Sequence, residues 1–496
     1  MKAQILPLIL LAATCNLSAQ QKKDTLSTRT IEDVKLHKTG NPNNARISTT
    51  KSQLDVMETP QAISTVTHET IEQQQAQQLS DVVKNVNGVY ITAARGASQD
   101  SFGARGYAFG NENIYKNGSR VNSGIFPEVS GLERVEVLKG SAAILYGNVA
   151  PGGIVNMVTK KPLFNFGGNI GLNYGSWNSI KPTIDIYGGL TKNSAIRVNG
   201  SYENKDSFRD NISSEKHYFN PSFLYNISEK TQIIIEADYL KHSFTPDFGL
   251  GGLVLNSKTN ESKLNTLLGI DKFVGAKWQY QTNEMLTSTV TLNHEINSNW
   301  NFNTVAFFQN YTRDFYGTER IQWNLQNNGD YVWKRTLNKQ YQEQNYGSIQ
   351  FNLNGHFKTG KIQHKLLAGA DADYLQADTY AYQLQKQNGD FADAGNNFLY
   401  VTNGNTSNGN VYLSDENSWK SGDMLNSRKK DLNRIPTRRV GVYAQDLISI
   451  TDKFKILAGL RWSYLENSST IVQNYLTGEK SYKESTGNPK ESAFSP

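Results

Sequence analysis

From Gly167 to Tyr464 the chain is a series of strand-like segments, each about ten residues long, the length of a tilted membrane β-strand. They are 167–176, 180–191, 194–204, 216–228, 231–241, 287–296, 299–312, 344–357, 361–374, 437–450 and 453–464. In one of them Ile349, Phe351 and Leu353 alternate with polar residues. Because successive side chains of a strand point to opposite faces, such a segment has one apolar face and one polar face. The pattern predicts a fold dominated by antiparallel β-sheet.

The connections between these segments alternate in length. Tight turns lie at 191–194, 228–230, 297–299, 358–360 and 451–453, and long polar connections lie at 205–215, 242–286, 313–343 and 375–436. Short turns on one side and long loops on the other are typical of an outer-membrane barrel. A soluble sandwich shares the alternating faces, whereas a propeller would need a fixed blade period that the sequence lacks. With 37% hydrophobic residues, no apolar run approaches the roughly 20 residues of a membrane helix.

The first 51 residues have the pattern of a targeting segment followed by a tether. Residues 1–19 combine a lysine, an apolar stretch and a small-residue end, which predicts a secretory signal peptide. Cys15 is the only cysteine, so no disulfide is expected. The polar residues 20–51 predict a flexible arm. Six residues of the arm alternate in a way that suits strand addition to a partner sheet, and chance alternation is the alternative. They are Ile31, Glu32, Asp33, Val34, Lys35 and Leu36.

Residues 52–162 have the pattern of a small α+β domain. Its last part, Leu132–Pro162, predicts two short strands joined by a helical turn at 141–146. Upstream, Asn117-Gly118 lies between two strand-like runs and is a strong signal for a hairpin turn. The chain is therefore expected to contain a mixed domain before the series of strands.

The stretch Leu132–Pro162 resembles the end of the plug domain of the TonB-dependent outer-membrane receptors and, within that family, of the siderophore receptors. The matching motifs are ERVEVLKG at 133–140, LYG at 145–147, PGGIVN at 151–156 and VTKKP at 158–162, with ETPQAIS at 58–64, LSDV at 79–82, RGY at 105–107 and NIY at 113–115 before them. The sequence departs from the family's usual residues at Asn87, Ala104, Asn117 and Ser141. The resemblance implies a membrane β-barrel with an α+β plug inside it.

The resemblance also implies how the chain is divided. Residues 1–19 would be the signal peptide, 20–51 the arm with the TonB-binding segment, 52–162 the plug, and 163–496 the N-terminal part of the barrel. About eleven strands are expected here, whereas the family's barrel has about 22. The residues ESAFSP at 491–496 resemble a motif that members carry in mid-barrel. The sequence is thus expected to be a C-terminally truncated fragment.

The function that the resemblance implies is import of ferric siderophores across the outer membrane of a Gram-negative bacterium. The expected partners are a ferric siderophore, the TonB complex of the inner membrane and outer-membrane lipid, and the receptor would act as a monomer. Iron would enter as a chelate, so no cofactor and no resident metal are expected. The alternatives are a receptor for haem, cobalamin or an oligosaccharide and, from other classes, a passive porin or a secreted all-β hydrolase.

The resemblance places ligand contacts on the apical loops of the plug. Arg95 lies in a loop that resembles the one with which the ferrichrome receptor contacts its ligand, and a guanidinium offers several donors to chelate oxygens. Phe126 lies where that receptor has an aromatic contact. The alternatives are a plug–barrel salt bridge for Arg95 and ordinary packing for Phe126. The full candidate set is Arg95, Ser98, Tyr107, Phe109, Asn111 and Phe126.

Other chemistries find little support in the sequence. The net charge of +6 comes from scattered basic residues, which argues against nucleic-acid binding. The carboxylates of Glu133 and Glu136 lie in plug-like sequence beside Arg134 and Lys139, where ion pairs between plug and barrel are expected instead of catalysis. No zinc motif, catalytic triad or phosphate loop is recognisable. The chain is therefore not expected to be an enzyme.

Overall fold

The structure is a computed structural model that describes residues 48–52, 54, 59–92, 100–121, 124–140, 142–259, 261–319, 321–386, 389–394, 410–484 and 489–496. Four of the sequence predictions fall outside these residues: the signal peptide, the TonB-binding segment Ile31–Leu36, and the ligand contacts Arg95 and Ser98. The side chain of Asn111 also lies outside the described part.

The N-terminal part of the chain folds as a small α+β domain, here called the plug. Its elements are β1 (Ala62–Thr67), α1 (His68–Gln73), α2 (Leu79–Val83), β2 (Val89–Ile91), β3 (Phe102–Ala104), β4 (Tyr107–Ala108), β5 (Ile114–Lys116), β6 (Ser119–Arg120), β7 (Leu132–Lys139), α3 (Ala143–Tyr146) and β8 (Gly153–Thr159), with a short 3-10 helix at Asn111–Asn113. Strands β1, β7, β8, β5 and β6 form one sheet in that order, and β2, β3 and β4 form a second. Among the strand pairs in the described part of the plug, β5 and β8 are parallel and the others are antiparallel.

The plug elements that the sequence predicted are present. The stretch Leu132–Pro162 forms β7, α3 and β8, as its turn and strand signals indicate. Asn117 and Gly118 link β5 to β6 with φ angles of 48° and 79°, the left-handed conformation that an Asn-Gly hairpin turn requires. The local chemistry of both stretches was therefore sufficient to predict their structure.

After the plug, the regular secondary structure of the described residues is almost entirely β-strand. They are β9 (Gly167–Gly175), β10 (Ser179–Gly189), β11 (Ser194–Asp206), β12 (Ser213–Ser228), β13 (Thr231–Phe244), β14 (Gly252–Asn256), β15 (Glu261–Lys263), β16 (Tyr280–Asn297), β17 (Trp300–Thr318), β18 (Gln322–Leu325), β19 (Tyr331–Lys334), β20 (Leu337–Thr359), β21 (Ile362–Gln385), β22 (Phe391–Asp393), β23 (Asn410–Tyr412), β24 (Ser427–Ser449), β25 (Lys455–Asn467), β26 (Thr470–Asn474), β27 (Lys480–Lys483) and β28 (Lys490–Ser495); a second 3-10 helix covers Glu416–Trp419. Fifteen of these strands form one antiparallel sheet, here called the wall sheet. Its central order is β24-β21-β20-β17-β16-β13-β12-β11-β10-β9, and β25, β26, β27, β28 and β22 complete it.

Each of the eleven predicted segments corresponds to a strand of the wall sheet, but most of the strands are longer than expected. The prediction of about ten residues falls well short for β21, which has 24, and for β20 and β24, which have 23 each. Their extra residues lie toward the long connections. In β20 these residues, 337–343, are mostly polar, so the alternation is lost there. In β21, Tyr380, Tyr382 and Leu384 still alternate with Ala381 and Gln383, a signal that the sequence analysis missed, and the backbone pairing with both neighbours continues.

The long connections contain a folded sheet of their own, which the sequence analysis missed. Strands β15, β14, β18, β19 and β23 pair in that order and bring together three connections. Their core contains Trp323, Trp333 and Val411, all nearly inaccessible to solvent. The buried guanidinium of Arg335 donates to the carbonyl oxygens of Val274, Gly275, Trp419 and Lys420, at 2.7–3.4 Å. The three connections are thereby joined into one structured unit.

The plug packs against one face of the wall sheet. The hydrophobic core that contains plug residues such as Val82, Phe102 and Val135 also contains Tyr218 and Tyr311 of the wall sheet. The other wall residues in this core are Leu240, Met285, Phe307 and Tyr346. We call this face of the sheet the inner face.

Within the described ranges, no helix has both the length and the hydropathy needed to cross a membrane.

Candidate ligand site and plug–wall interface

Two short strands flank residues 93–99, which include Arg95 and Ser98 and lie outside the described residues. β2 ends at Ile91 and β3 begins at Phe102, and Tyr90 and Ile91 are each about half exposed at the end of β2. Tyr107 on β4, which pairs with β3, is 50% exposed. The structure therefore places accessible apolar and aromatic side chains on strands of this small sheet. Tyr107 is among the predicted contacts, and its role stays a prediction.

Phe126 lies against the inner face of the wall sheet. Its ring meets the imidazole of His242 edge-on, with 5.8 Å between ring centroids, and His242 stacks on Phe244 at 4.5 Å. The carbonyl of Gly124 accepts a hydrogen bond of 3.1 Å from the side-chain amide of Asn283, which fixes the loop to β16. Ile125 is buried, but Phe126 keeps part of its surface exposed. Phe126 therefore packs on the wall sheet, and its contact with a ligand stays a prediction.

Phe109 differs from Tyr107 and Phe126 because it is buried, and Asn111 lies in a 3-10 helix. Phe109 is only 8% exposed, and its ring packs so closely on Gly152 that a Cβ there would lie 2.7 Å from it. It also lines a small cavity of about 50 Å³ between the plug and the wall sheet, together with Lys116 and Glu128. Asn111 begins a 3-10 helix. In this conformation Phe109 contributes chiefly to packing, which the sequence could not distinguish from an exposed aromatic.

Ion pairs join the plug to the inner face of the wall. Glu128 is completely buried; its carboxylate lies 2.8 Å from the ammonium of Lys181 and 3.8 Å from that of Lys216. Burial alone would raise the pKa of Glu128, but the two lysines lower it to about 2. Lys181 also lies 3.6 Å from Glu203. A plug carboxylate is thus held charged by two strands of the wall.

A second group of ion pairs lies where the plug passes into β9. Lys116 pairs with Asp238, and Lys161 pairs with Glu236. Lys160 lies 3.1 Å from Asp185, which also accepts from Arg197. The partners of the three plug lysines all belong to the wall sheet; they are Asp185 with its neighbour Arg197, Glu236 and Asp238. Positive plug side chains therefore meet negative wall side chains in this region.

Two contacts of the residues that were expected to form plug–barrel ion pairs lie within the plug instead. Arg134 pairs with Glu136, at 2.7 Å, and both belong to β7 of the plug. The ammonium of Lys139 donates to the carbonyl of Asn87, also in the plug. The interface is formed by lysines and a glutamate whose partners lie far away in the sequence, so no local pattern marks them.

The described residues contain no group of three or more His, Cys, Asp or Glu side chains arranged to hold a metal ion. The buried carboxylates mentioned above are instead neutralised by lysine and arginine.

Comparisons with known proteins agree with this architecture. Residues 55–154 match the model of the TonB-dependent receptor plug domain, and residues 218–496, more than half of the chain, match that of the TonB-dependent receptor-like β-barrel. The chain is 26% identical over 333 residues to the catecholate siderophore receptor Fiu of Escherichia coli K12, covering 64% of this chain and 44% of that protein. It is 25% identical over 433 residues to the ferrioxamine receptor of Yersinia enterocolitica, covering 81% and 59%.

Solved structures show the same fold. The closed form of the ferric-catecholate import receptor Fiu of E. coli K12 superposes with a TM-score of 0.73 at 22% identity, covering 91% of this chain and 64% of that one. The siderophore receptor PiuA of Acinetobacter baumannii gives 0.73 at 21% identity, covering 89% and 61%. The chain spans about half the length of the curated relatives it matches. Its fold is a plug domain with a TonB-dependent-receptor β-barrel, and the chain belongs to the TonB-dependent receptor family.

Proposed function

We propose that this chain is part of an outer-membrane receptor that imports ferric siderophores and leaves the chelate chemically unchanged. The observation that supports it best is the plug packed on the inner face of the wall, where the two share one hydrophobic core and several buried ion pairs. A passive pore needs no such obstruction. The family consists of transport receptors, and the relatives named above bind catecholate and ferrioxamine siderophores.

The proposal includes energy input and location. The receptor would act as a monomer in the outer membrane of a Gram-negative bacterium, with iron as cargo and no resident cofactor. The segment Ile31–Leu36 would pair as an added strand with the TonB complex, which supplies the work of moving the plug. The proposed boundaries are those given above: a signal peptide at 1–19, an arm at 20–51, a plug at 52–162 and barrel strands from 163 onward.

Growth on defined iron sources tests this function. A strain that lacks the gene should fail to grow on at least one ferric siderophore, catecholate or hydroxamate, when iron is otherwise withheld. The full-length gene should restore growth on that chelate. Haem, cobalamin and oligosaccharides serve as parallel nutrients in the same strains. A growth defect confined to one of these nutrients would contradict siderophore import and identify the alternative receptor class.

We further propose that the ligand meets the plug at Arg95, Ser98, Tyr107, Asn111 and Phe126, with Phe109 supporting them from below. Arg95→Ala should weaken chelate binding by about tenfold, since a charge-assisted hydrogen bond contributes about 1.5–3 kcal/mol. Equilibrium binding to purified receptor measures the effect. Lys84→Ala removes an exposed plug cation that pairs only locally with Asp81, so its affinity should stay unchanged. Equal affinity in both variants would refute the role of Arg95.

A further inference from the structure

Residues 48–51, the first described residues of the chain, lie between the plug and the wall sheet, where Ser48 is exposed and the next two residues are buried. Thr49 and Thr50 are completely inaccessible to solvent, and the side chain of Lys51 is 6% exposed. In the sequence they are the last four residues of the arm that would be pulled. We call residues 48–51 the coupling segment. Such burial of a polar segment demands that its donors and acceptors find partners.

One carboxylate of the plug holds the N-terminal half of the coupling segment. Glu136 on β7 accepts from the backbone and hydroxyl of Ser48, at 3.1 and 2.9 Å, and from the backbone of Thr49 at 2.8 Å and its hydroxyl. Arg134 donates to the same carboxylate at 2.7 Å. Burial would raise the pKa of Glu136, but Arg134 and these hydrogen bonds keep it below its usual value. The hydroxyl of Tyr146 adds a bond of 2.8 Å to the carbonyl of Thr49.

The wall sheet holds the C-terminal half. The ammonium of Lys51 lies 3.6 Å from Asp371 on β21 and 3.4 Å from the hydroxyl of Tyr443 on β24. It sits over the rings of Tyr443 and Tyr146, 4.7 and 4.8 Å from their centroids. Asp371 is itself fixed by two hydrogen bonds from Arg461, at 2.6 and 2.8 Å. Lys51 is thus attached to a site formed by strands of the wall sheet.

We propose that residues 48–51 are the segment through which a pull on the N-terminal arm reaches the plug, with Glu136 as its attachment to the plug and Lys51 as its attachment to the wall. The proposal rests on the proposed function. A pull from the N-terminal side reaches the Glu136 contacts of Ser48 and Thr49 first, and these carry the load to β7, which pairs with β1 and β8 in the plug sheet. The Lys51 contacts must then break before the segment can leave the wall. Charged hydrogen bonds suit this task because they are stronger than neutral ones.

The wall attachment is tested by thiol labelling of a buried reporter. Thr50→Cys in the full-length receptor in outer membranes should react slowly with a water-soluble maleimide. Adding Lys51→Met, which keeps the apolar stem but removes the charge, should speed labelling about tenfold. Lys51→Arg should restore protection because it keeps the cation. Lys139→Met is the matched control, since Lys139 bonds only within the plug. Equal labelling rates in the Lys51→Met and control receptors would overturn the wall attachment.

The plug attachment is tested by separating binding from uptake. Glu136→Gln keeps the volume but loses the charge, so the affinity for chelate should stay within about twofold while the initial rate of uptake falls about tenfold. Glu72→Gln, an exposed change on α1, should alter neither. If Glu136→Gln does not reach the membrane, Thr49→Val removes one donor to the same carboxylate and should slow uptake less. Normal uptake in these variants would overturn the coupling role.

The two tests also separate this inference from the function itself. If no receptor version binds or imports any ferric chelate, the proposed function fails, but the labelling comparison still decides whether Lys51 holds the segment to the wall. If binding and uptake are found and labelling does not respond to Lys51→Met, the function stands and the coupling proposal is wrong.

Discussion

Glu128→Gln should loosen the plug from the wall by about 3 kcal/mol, the cost of removing one partner from a buried ion pair. The substitution keeps the shape of the side chain but leaves the ammonium groups of Lys181 and Lys216 without the plug carboxylate. Lys181 retains Glu203, so the loss is partial instead of complete. The plug should then dissociate from the wall at a lower urea concentration.

From the pKa of Glu128 we predict how the docking of the plug on the wall sheet depends on pH. The pKa of Glu128 is about 2 in the folded protein and 4.5 for the free side chain. Because the folded value is the lower one, its stabilisation is complete above about pH 4.5 and is lost as the pH falls toward 2, amounting to about 3 kcal/mol. Acid should therefore release the plug of the parent receptor over this interval.

Conductance of the full-length receptor in planar bilayers measures both effects, since departure of the plug opens the barrel. Glu128→Gln should open at lower urea and should lose the part of the acid response that lies between pH 4.5 and 2. Glu69→Gln makes the same chemical change on an exposed face of α1 and should behave like the parent. If the acid response of Glu128→Gln matched that of the parent, another carboxylate would have to control docking.

The parts of the fold that could be predicted depend on neighbours in sequence. Leu132–Pro162 carries its own turn signals, and Asn117-Gly118 specifies a hairpin by its left-handed backbone alone. The wall strands were found because one face must be apolar over the height of a membrane. Beyond that height, residues 337–343 of β20 are mostly polar, so this end of the strand could not be predicted, whereas the alternation of Tyr380, Tyr382 and Leu384 in β21 was a signal that the sequence analysis missed.

The contacts that hold the site together have no local signal. Glu128 meets Lys181, which lies 53 residues further along the chain, and Ser48 meets Glu136 at a separation of 88. Trp323 and Trp333 in a polar connection could have indicated a small core, since large aromatic residues seldom occur in connections that stay exposed. The role of Arg335 could not have been found, because its partners are carbonyl groups of other connections.

Deleting Ile31–Leu36 should abolish uptake and leave binding of the chelate unchanged. The ligand contacts proposed above all lie at 95–126, so the receptor should still bind its cargo. The alternating segment is proposed to pair with TonB as an added strand, and without it no pull can reach the coupling segment. Uptake should therefore fall to the level of a strain that lacks TonB. Transport of labelled ferric chelate into energised cells, beside equilibrium binding to the same cells, measures the two quantities.

The arm provides a matched control, because Gly40–Ala45 has the same length and no alternating apolar residues. Removing those six residues should leave uptake largely intact, since it shortens the tether without removing the strand. Val34→Pro gives a sharper test: proline has no N–H to donate, so it should disrupt strand addition while keeping the length of the arm. If Val34→Pro and the deletion of Ile31–Leu36 both import at the parental rate, the TonB-binding segment lies elsewhere in the arm. If the Gly40–Ala45 deletion fails as completely as that of Ile31–Leu36, tether length and not strand addition limits transport.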